Sequence, residues 1–296
     1  MSKATLFLSK FIPHSLERRI RTFRDIYFRN YKIEPLPQEI YSSELHQHSI
    51  SFCTNCMNRL YHLRHTMEEN INANSDYGAV EFVLVNYNSR DGMHEWARKH
   101  LSKYIDQGIL NYYHTKDPQY FHMSKAKNLA HKLAGNEIVC NLDGDNYTGK
   151  DFAFYINYLF NEYGLDNIFH FKKAPYWGTE GRIVLSRKNF VRLGGYDESF
   201  HPAGHQDHDL IFRGQKLGLD YKVIEVENFL RYLSNSTKEK STGLAKGKVN
   251  YYELRDQNIE KSNKNLSDGK LVANMDKGWG KSVVYKNFSP KPIILD

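Results

Sequence analysis

Between His48 and Asn146, four apolar runs alternate with three stretches of helical periodicity, and this alternation constrains the fold more than any other feature of the chain. "HSISFCT", "VEFVLVNYN", "ILNYYHT" and "EIVCNLD" read as strands, the second of them buried. "MNRLYHLRHTMEENINA" reads as an amphipathic helix with Leu60, Leu63 and Met67 on one side. "SRDGMHEWARKHLSKYIDQG" is a second helix, closed by Gly108, and "HMSKAKNLAHKLA" a third, stopped by Gly135. Strands separated by helices in this way predict an α/β fold with a mostly parallel sheet covered by helices on both faces. Ligands of such sheets bind at the carboxyl ends of the strands.

The fourth strand runs into "LDGDN", which places Asp143 and Asp145 at such an end. Two carboxylates one residue apart repel unless a cation or a hydrogen-bond donor compensates. A hard divalent ion, Mg²⁺ or Mn²⁺, is the natural compensator, because it takes oxygen ligands and binds through one or two carboxylates plus substrate phosphates. A second acidic pair, Asp207 and Asp209 in "HPAGHQDHDL", falls at the predicted start of a later helix, where the helix dipole favours carboxylates and one of the two suffices as a cap.

Charge is unevenly distributed. The net charge is +7, but residues 1–35 carry eight Lys/Arg against three Asp/Glu. In that segment Leu8, Ile12, Leu16, Ile20, Phe23 and Tyr27 recur at helical spacing, so a helix from about Pro13 has an apolar face opposite arginines. Such a helix suits packing on its own domain, on a second subunit, or on an anionic membrane surface, with contact through residues 1–30. No basic stripe with interleaved aromatics runs through the rest of the chain, so a nucleic-acid partner is not expected. The start "MSKATLFLSKFIPHSLERRI" has neither an h-region nor a small-residue cleavage site, and three cysteines fit a reducing compartment. The expected location is cytoplasmic, with peripheral contact at the inner face of the plasma membrane.

Four segments, "SFCTNCMNRLYHL", "EFVLVNYNSRDG", "SKAKNLAHKLAGNEIVCNLDGDN" and "GRIVLSRKNFVRLGGYDESFHPAGHQDHDLIFRGQKLG", together resemble nucleotide-sugar glycosyltransferases of the GT-A fold. The likeness is to family 2 enzymes with a galactosyltransferase-type carboxyl-terminal region, over roughly residues 48–236, and it rests on the order of the motifs. It implies a basic helical extension and linker over residues 1–47 and a GT-A domain over 48–234. The domain divides into a nucleotide-binding half, 48–150, and an acceptor and catalytic half, 151–234. Residues 235–296 form an appendage that serves in relatives as a lid, with Trp279 placed to take part.

The resemblance also implies roles. Thr54, Asn55 and Arg59 match positions lining the nucleotide pocket, as does Asn128 in "AKNLA". Asn86 stands where relatives usually carry an aspartate that reads the uracil edge. Asp143 would bind ribose or a metal water, and Asp145 would coordinate the Mn²⁺ or Mg²⁺ that bridges the phosphates of a UDP-sugar donor. Asp207 would be the general base of an inverting transfer of a hexose or N-acetylhexosamine to a saccharide or lipid-linked saccharide hydroxyl, in the setting of bacterial surface polysaccharide synthesis. Gly195, Tyr196 and Gln206 fall among substrate-contacting positions, Gln206 replacing the usual glutamate. Asn235 stands where many relatives have a metal-binding histidine, and His205 and His208 are alternatives.

Other residues are read directly. Trp177 beside Gly178 either offers a flat face to a sugar ring or packs in the core. The Cys53–Cys56 spacing matches a redox motif but overlaps the expected nucleotide loop. The cluster His201, His205, Asp207, His208 and Asp209 lacks a remote ligand set for zinc. The pairs His46/His48 and His62/His65 read as surface histidines. Two further classes share the pattern: a sugar-phosphate nucleotidyltransferase, which should bring a glycine-rich loop that "CTNCMNRL" lacks, and a non-catalytic nucleotide-sugar-binding module.

Overall fold

The computed structural model describes residues 13–247 and 249–296; the part of the expected membrane-contact segment before residue 13 lies outside these. Strands β1 (Ile50–Cys56), β2 (Val80–Tyr87), β3 (Leu110–Thr115) and β4 (Ile138–Asn141) are followed by β5 (Asn167–Phe171), β6 (Ile183–Ser186), β7 (Asp220–Ile224), β8 (Ser282–Lys286) and β9 (Pro292–Leu295). They form one sheet in the order β7-β5-β6-β4-β1-β2-β3-β8-β9. Its centre, β4-β1-β2-β3, is parallel throughout. The α/β class with a parallel central sheet is therefore as expected.

Helices α1 (His14–Tyr27), α2 (Leu60–Asn74), α3 (Met93–His100), α4 (Ser102–Asp106) and α5 (Met123–Leu133) precede α6 (Phe152–Tyr163), α7 (Arg187–Arg192), α8 (Gln206–Lys216), α9 (Thr237–Ser241) and α10 (Tyr251–Ser267). Two separate apolar clusters cover the sheet. One gathers Phe52, Phe82 and Leu84 with Leu63 and Met67 of α2 and Phe152 of α6. The other gathers Val83, Val85 and Val139 with Leu129 of α5 and Leu210 of α8. Alternate residues of one strand, Phe82 and Val83, enter opposite clusters, which is the period-2 rule for a sheet buried on both sides.

The stretch expected as one helix from "SRDG" to Gly108 is two. Gly92 adopts a left-handed conformation, φ +83°, so α3 begins only at Met93. Leu101 then leaves the helical track at φ −107° and buries completely beside Tyr104, dividing α3 from α4. The freed Asp91 carboxylate instead accepts a hydrogen bond from the Leu60 amide at 2.8 Å and steadies the start of α2.

β6 runs antiparallel to both β4 and β5, which the alternating pattern does not foretell. Its first residues lie beside the carboxyl end of β4, with Val184 opposite Cys140. The preceding loop, Trp177–Gly181, is thereby brought over the "DGD" turn. At the far edge β8 pairs antiparallel with β3, so carboxyl-terminal residues extend the main sheet.

Candidate active site

A cleft of about 390 Å³ opens at the carboxyl ends of β1 and β4. Asn55 comes from the end of β1, Arg59 from the β1–α2 turn, Asp143, Gly144 and Asp145 from the turn after β4, and Trp177, Gly178 and Gly181 from the loop before β6. Gln206 and Asp207 enter from the start of α8, and Ser234 and Asn235 from the segment beyond β7.

Hydrogen bonds immobilise the acidic turn. The Leu142 amide donates to the Cys53 carbonyl at 2.9 Å, the Thr66 hydroxyl to the Gly144 carbonyl at 2.8 Å, and the Leu233 amide to the Asp145 carbonyl at 2.8 Å. Asn141 Nδ2 donates to the Gly181 carbonyl at 2.7 Å and to Asp143 at 3.1 Å. A Cβ at Gly181 would lie 2.4 Å from Asp143 Oδ2, so only glycine lets this loop close over the carboxylate.

Burial, and then repulsion from Asp143, push the Asp145 carboxyl up to about 6; Arg59 and the amides of Asn235 and Asn146 act against them. A divalent cation would relieve the residual strain, and two hard carboxylates against a cleft suit Mg²⁺ or Mn²⁺. Asn235 reaches Asp145 through its Nδ2, while its Oδ1 accepts from Arg59. To act as a ligand its amide would have to turn over and release Arg59.

Asp207 faces Asp143 across a single ammonium. Lys127 Nζ donates to Asp207 Oδ1 at 2.7 Å and lies 3.8 Å from Asp143 Oδ1. Burial alone lowers the proton affinity of this lysine, but the two carboxylates and the hydrogen bond outweigh burial and raise it, so the ammonium stays charged. Asp207 is itself raised: burial is the main cause, Lys127 opposes it and Asp143 adds to it. Gln206 Nε2 contacts the other Asp207 oxygen at 3.2 Å and the Met123 sulfur at 3.1 Å.

Several expected residues face elsewhere. The Thr54 hydroxyl donates to the Leu142 carbonyl at 2.8 Å, locking β1 to the acidic turn from below. Asn86 is buried, donating to the Tyr112 hydroxyl at 3.0 Å and accepting from the Ser89 amide at 2.8 Å. Asn128, also buried, donates to the Tyr196 carbonyl and accepts from the Tyr196 amide, both at 2.8 Å. Gly195, at φ +68°, packs against Asn128, where a Cβ would come within 2.5 Å of Oδ1. Tyr196 is buried among these residues. These five do not line the cleft; they shape the ground beneath it.

Trp177 is 64% exposed, so packing in the core is excluded. Gly178 is pressed against the Tyr232 ring, 1.9 Å from where a Cβ would sit. His62 and His48 are buried rather than at the surface. His62 lines the cleft with its Nε2 unpartnered among the described residues, and burial pushes its imidazole down to about 3, so it stands there neutral. His48 pairs with Glu137 at 2.8 Å. Burial pushes the Cys56 thiol up to about 12, which leaves no thiolate for redox chemistry. Trp279 packs on Phe190 at 5.4 Å, away from the cleft, whose outer border is formed by Lys240, Thr242, Leu244 and Tyr251.

Lys127 was the residue missed from sequence. It lies in a run, Ala126 to His131, that is buried all round the helix, so no amphipathic pattern singles it out.

No protein-family model matches the sequence, and no curated relative does. Solved structures do match in fold. A mannosyltransferase from Pyrobaculum calidifontis, in complex with GDP-Man and Mn²⁺, superposes with a TM-score of 0.52 at 18% identity, covering 71% of this chain and 62% of its own. S. aureus TarS 1–349 in complex with UDP-GlcNAc gives 0.56 at 13% identity, covering 77% of this chain and 68% of its own. The chain thus spans less than two thirds of the length of the mannosyltransferase, and it shares with both proteins a fold, in this chain a central, mostly parallel sheet flanked by helices.

Proposed function

We propose that the chain is a divalent-metal-dependent, inverting glycosyltransferase that moves a hexose or N-acetylhexosamine from a nucleoside diphosphate to a saccharide hydroxyl. The observation that carries this reading is the convergence, in one cleft, of two acidic groups of different character. Asp143 and Asp145 repel each other beside Arg59, and Asp207 stands alone across the cleft on Lys127. Fold neighbours in complex with GDP-Man and Mn²⁺, and with UDP-GlcNAc, support a nucleotide-sugar donor.

Asp143 and Asp145 would hold the ion, whose Lewis acidity stabilises charge on a departing diphosphate. Asn55 and Arg59, which line the cleft, would meet the nucleotide and its phosphates. Trp177, exposed on the cleft wall, offers its ring to a sugar face. Asp207 accepts the proton of the acceptor hydroxyl as that oxygen bonds to the anomeric carbon. The bond from this carbon to the phosphate oxygen breaks, and its electron pair leaves with the diphosphate. Lys127 holds Asp207 ionised in the resting site, and Gln206 orients its second oxygen. Attack opposite the leaving group inverts the anomeric centre.

The test is nucleoside diphosphate release from a panel of UDP- and GDP-sugars with Mn²⁺ or Mg²⁺, for the wild type and for Asp207→Asn. Metal-dependent release that the variant loses supports the reading. Consumption of a nucleoside triphosphate with a sugar phosphate, or undiminished release by the variant, overturns it.

A further inference from the structure

Helix α1 is docked the wrong way round for an ordinary surface helix. Its polar side faces the protein: Asp25 is buried and accepts from the Ser234 amide at 2.7 Å, Arg21 Nε donates to the Ser234 carbonyl at 3.0 Å, and the Arg18 guanidinium stacks 3.7 Å from the Tyr61 ring. Arg21 also pairs with Glu239. At 100° per residue these positions fall on one side, and Leu16, Ile20, Phe23 and Tyr27 fall within about 60° of one another on the other. That second side faces solvent, with Leu16 47%, Ile20 53%, Phe23 56% and Tyr27 67% exposed. Phe28 continues the stripe, its ring 5.7 Å from that of Phe23. Contiguous exposed apolar side chains of this kind mark an interaction surface.

Charge identifies the occupant. The stripe is flanked on one side by the exposed Arg19 and on the other by Arg24, exposed and paired with Asp25 at 2.7 Å. Two copies meeting stripe to stripe would bring these arginines together, whereas a bilayer with anionic headgroups meets an apolar centre and a cationic rim at once. We propose that α1 lies in the headgroup boundary of an anionic membrane, with Leu16, Ile20, Phe23 and Tyr27 inserted and Arg19 on lipid phosphates.

The polar side of the same helix holds Ser234, and Arg29, just beyond the helix end, stacks on the Tyr232 ring at 4.1 Å; Ser234 and Tyr232 both line the cleft. One helix diameter, about 10 Å, therefore separates the bilayer from the cleft rim. Resting on the transfer reading above, this spacing brings a sugar carried on a lipid headgroup to the rim of the cleft that Asp207 lines.

Vesicle sedimentation without any donor tests the surface independently of transfer, which nucleotide release in vesicle-free solution reports. The wild type is expected to sediment with phosphatidylglycerol-containing vesicles, more weakly with phosphatidylcholine alone, and less as salt is raised. Ile20→Glu/Phe23→Glu should weaken binding by at least about tenfold at an unchanged thermal midpoint, and Arg19→Gln by about fivefold on anionic vesicles only. Failure of the wild type to bind anionic vesicles overturns the proposal. So does a wild-type dimer that the double variant disperses, since the occupant is then a second copy. A double variant that melts several degrees lower also overturns it, since the stripe is then covered by the chain itself.

Discussion

Asp143-Gly144-Asp145 and Asp207-His208-Asp209 have the same spacing and opposite fates. In the turn after β4 both carboxylates stay at the cleft, and their mutual repulsion helps raise Asp145 to about 6. In the first turn of α8, positions two apart are separated by about 200°, so the pair splits. Asp207 enters the cleft, while Asp209 is fully buried and accepts from Arg213 Nε at 2.7 Å and from the Ser262 hydroxyl at 2.8 Å. Arg213 in turn donates to the carbonyls of Leu193 and Gly195 at 2.7 and 2.8 Å, tying α8 to the turn after α7. Identical spacing therefore yields a paired binding site on a turn, and one chemical and one architectural carboxylate on a helix.

The comparison breaks most visibly at α8. Asp207→Asn should lower nucleotide release by about 10²–10⁴-fold, the usual worth of a general base, with an unchanged circular dichroism spectrum and a smaller loss of stability than Asp209→Asn, because Lys127 keeps Asp143 at 3.8 Å when its Asp207 partner is neutralised. Asp209→Asn should do the reverse. It strands Arg213 in the core and should cost about 3–5 kcal/mol of stability, read by denaturant unfolding, because one partner of a buried ion pair is left uncompensated. If the two variants exchanged phenotypes, the assignment of roles within the pair would be wrong.

At the β4 turn the expected effects lie in binding. Asp145→Ala should abolish metal-dependent binding of UDP or GDP in calorimetry. Without metal it should unfold no more easily than the wild type, since it removes a strained carboxylate that Arg59 and the amides of Asn235 and Asn146 offset only in part. The sign of the pH dependence follows from the same strain. With its proton affinity raised to about 6, Asp145 is protonated in the folded state at pH values where the unfolded carboxyl is already ionised. The group's contribution to stability is thus lost as pH rises through that window. Mn²⁺ must displace the retained proton, so its apparent affinity should fall by about tenfold per unit below pH 6. A flat affinity between pH 5 and 7 would show that Asp145 does not carry the ion.

How much of this was legible beforehand depends on whether the information was local. The alternating pattern announces β1 to β4 and the helices between them, and so locates Asp143 and Asp145 at a strand end. The reversed direction of β6 is not local: it depends on where β5 leaves the chain, and it is what brings Trp177 and Gly181 over the acidic turn. Asn86 and Asn128 are expected as ligand contacts because they match nucleotide-contacting positions of the family the sequence resembles, yet each spends its hydrogen bonds on neighbouring backbone and side chains. Lys127 was invisible for the converse reason. Its partners lie 16 and 80 positions away, and nothing in "KAKNLA" reports them. The orientation of α1 was half legible: the periodicity shows an apolar face, but only the buried Asp25 reveals that this face points outward.

The smallest predicted effect isolates the architectural half of α8. Ser262 of α10 is buried and donates to Asp209 Oδ1, the oxygen that Arg213 Nε does not take. Ser262→Ala removes this bond and leaves the ion pair intact, so it should cost about 1.5–3 kcal/mol, the range for a hydrogen bond to a charged group, and less than Asp209→Asn. Nucleotide release per folded molecule should not change, because Ser262 contacts Asp209 and is not among the residues that line the cleft. If Ser262→Ala lowered turnover while sparing stability, the two carboxylates of α8 would be coupled through the helix, and the division between a chemical and an architectural aspartate would have to be abandoned.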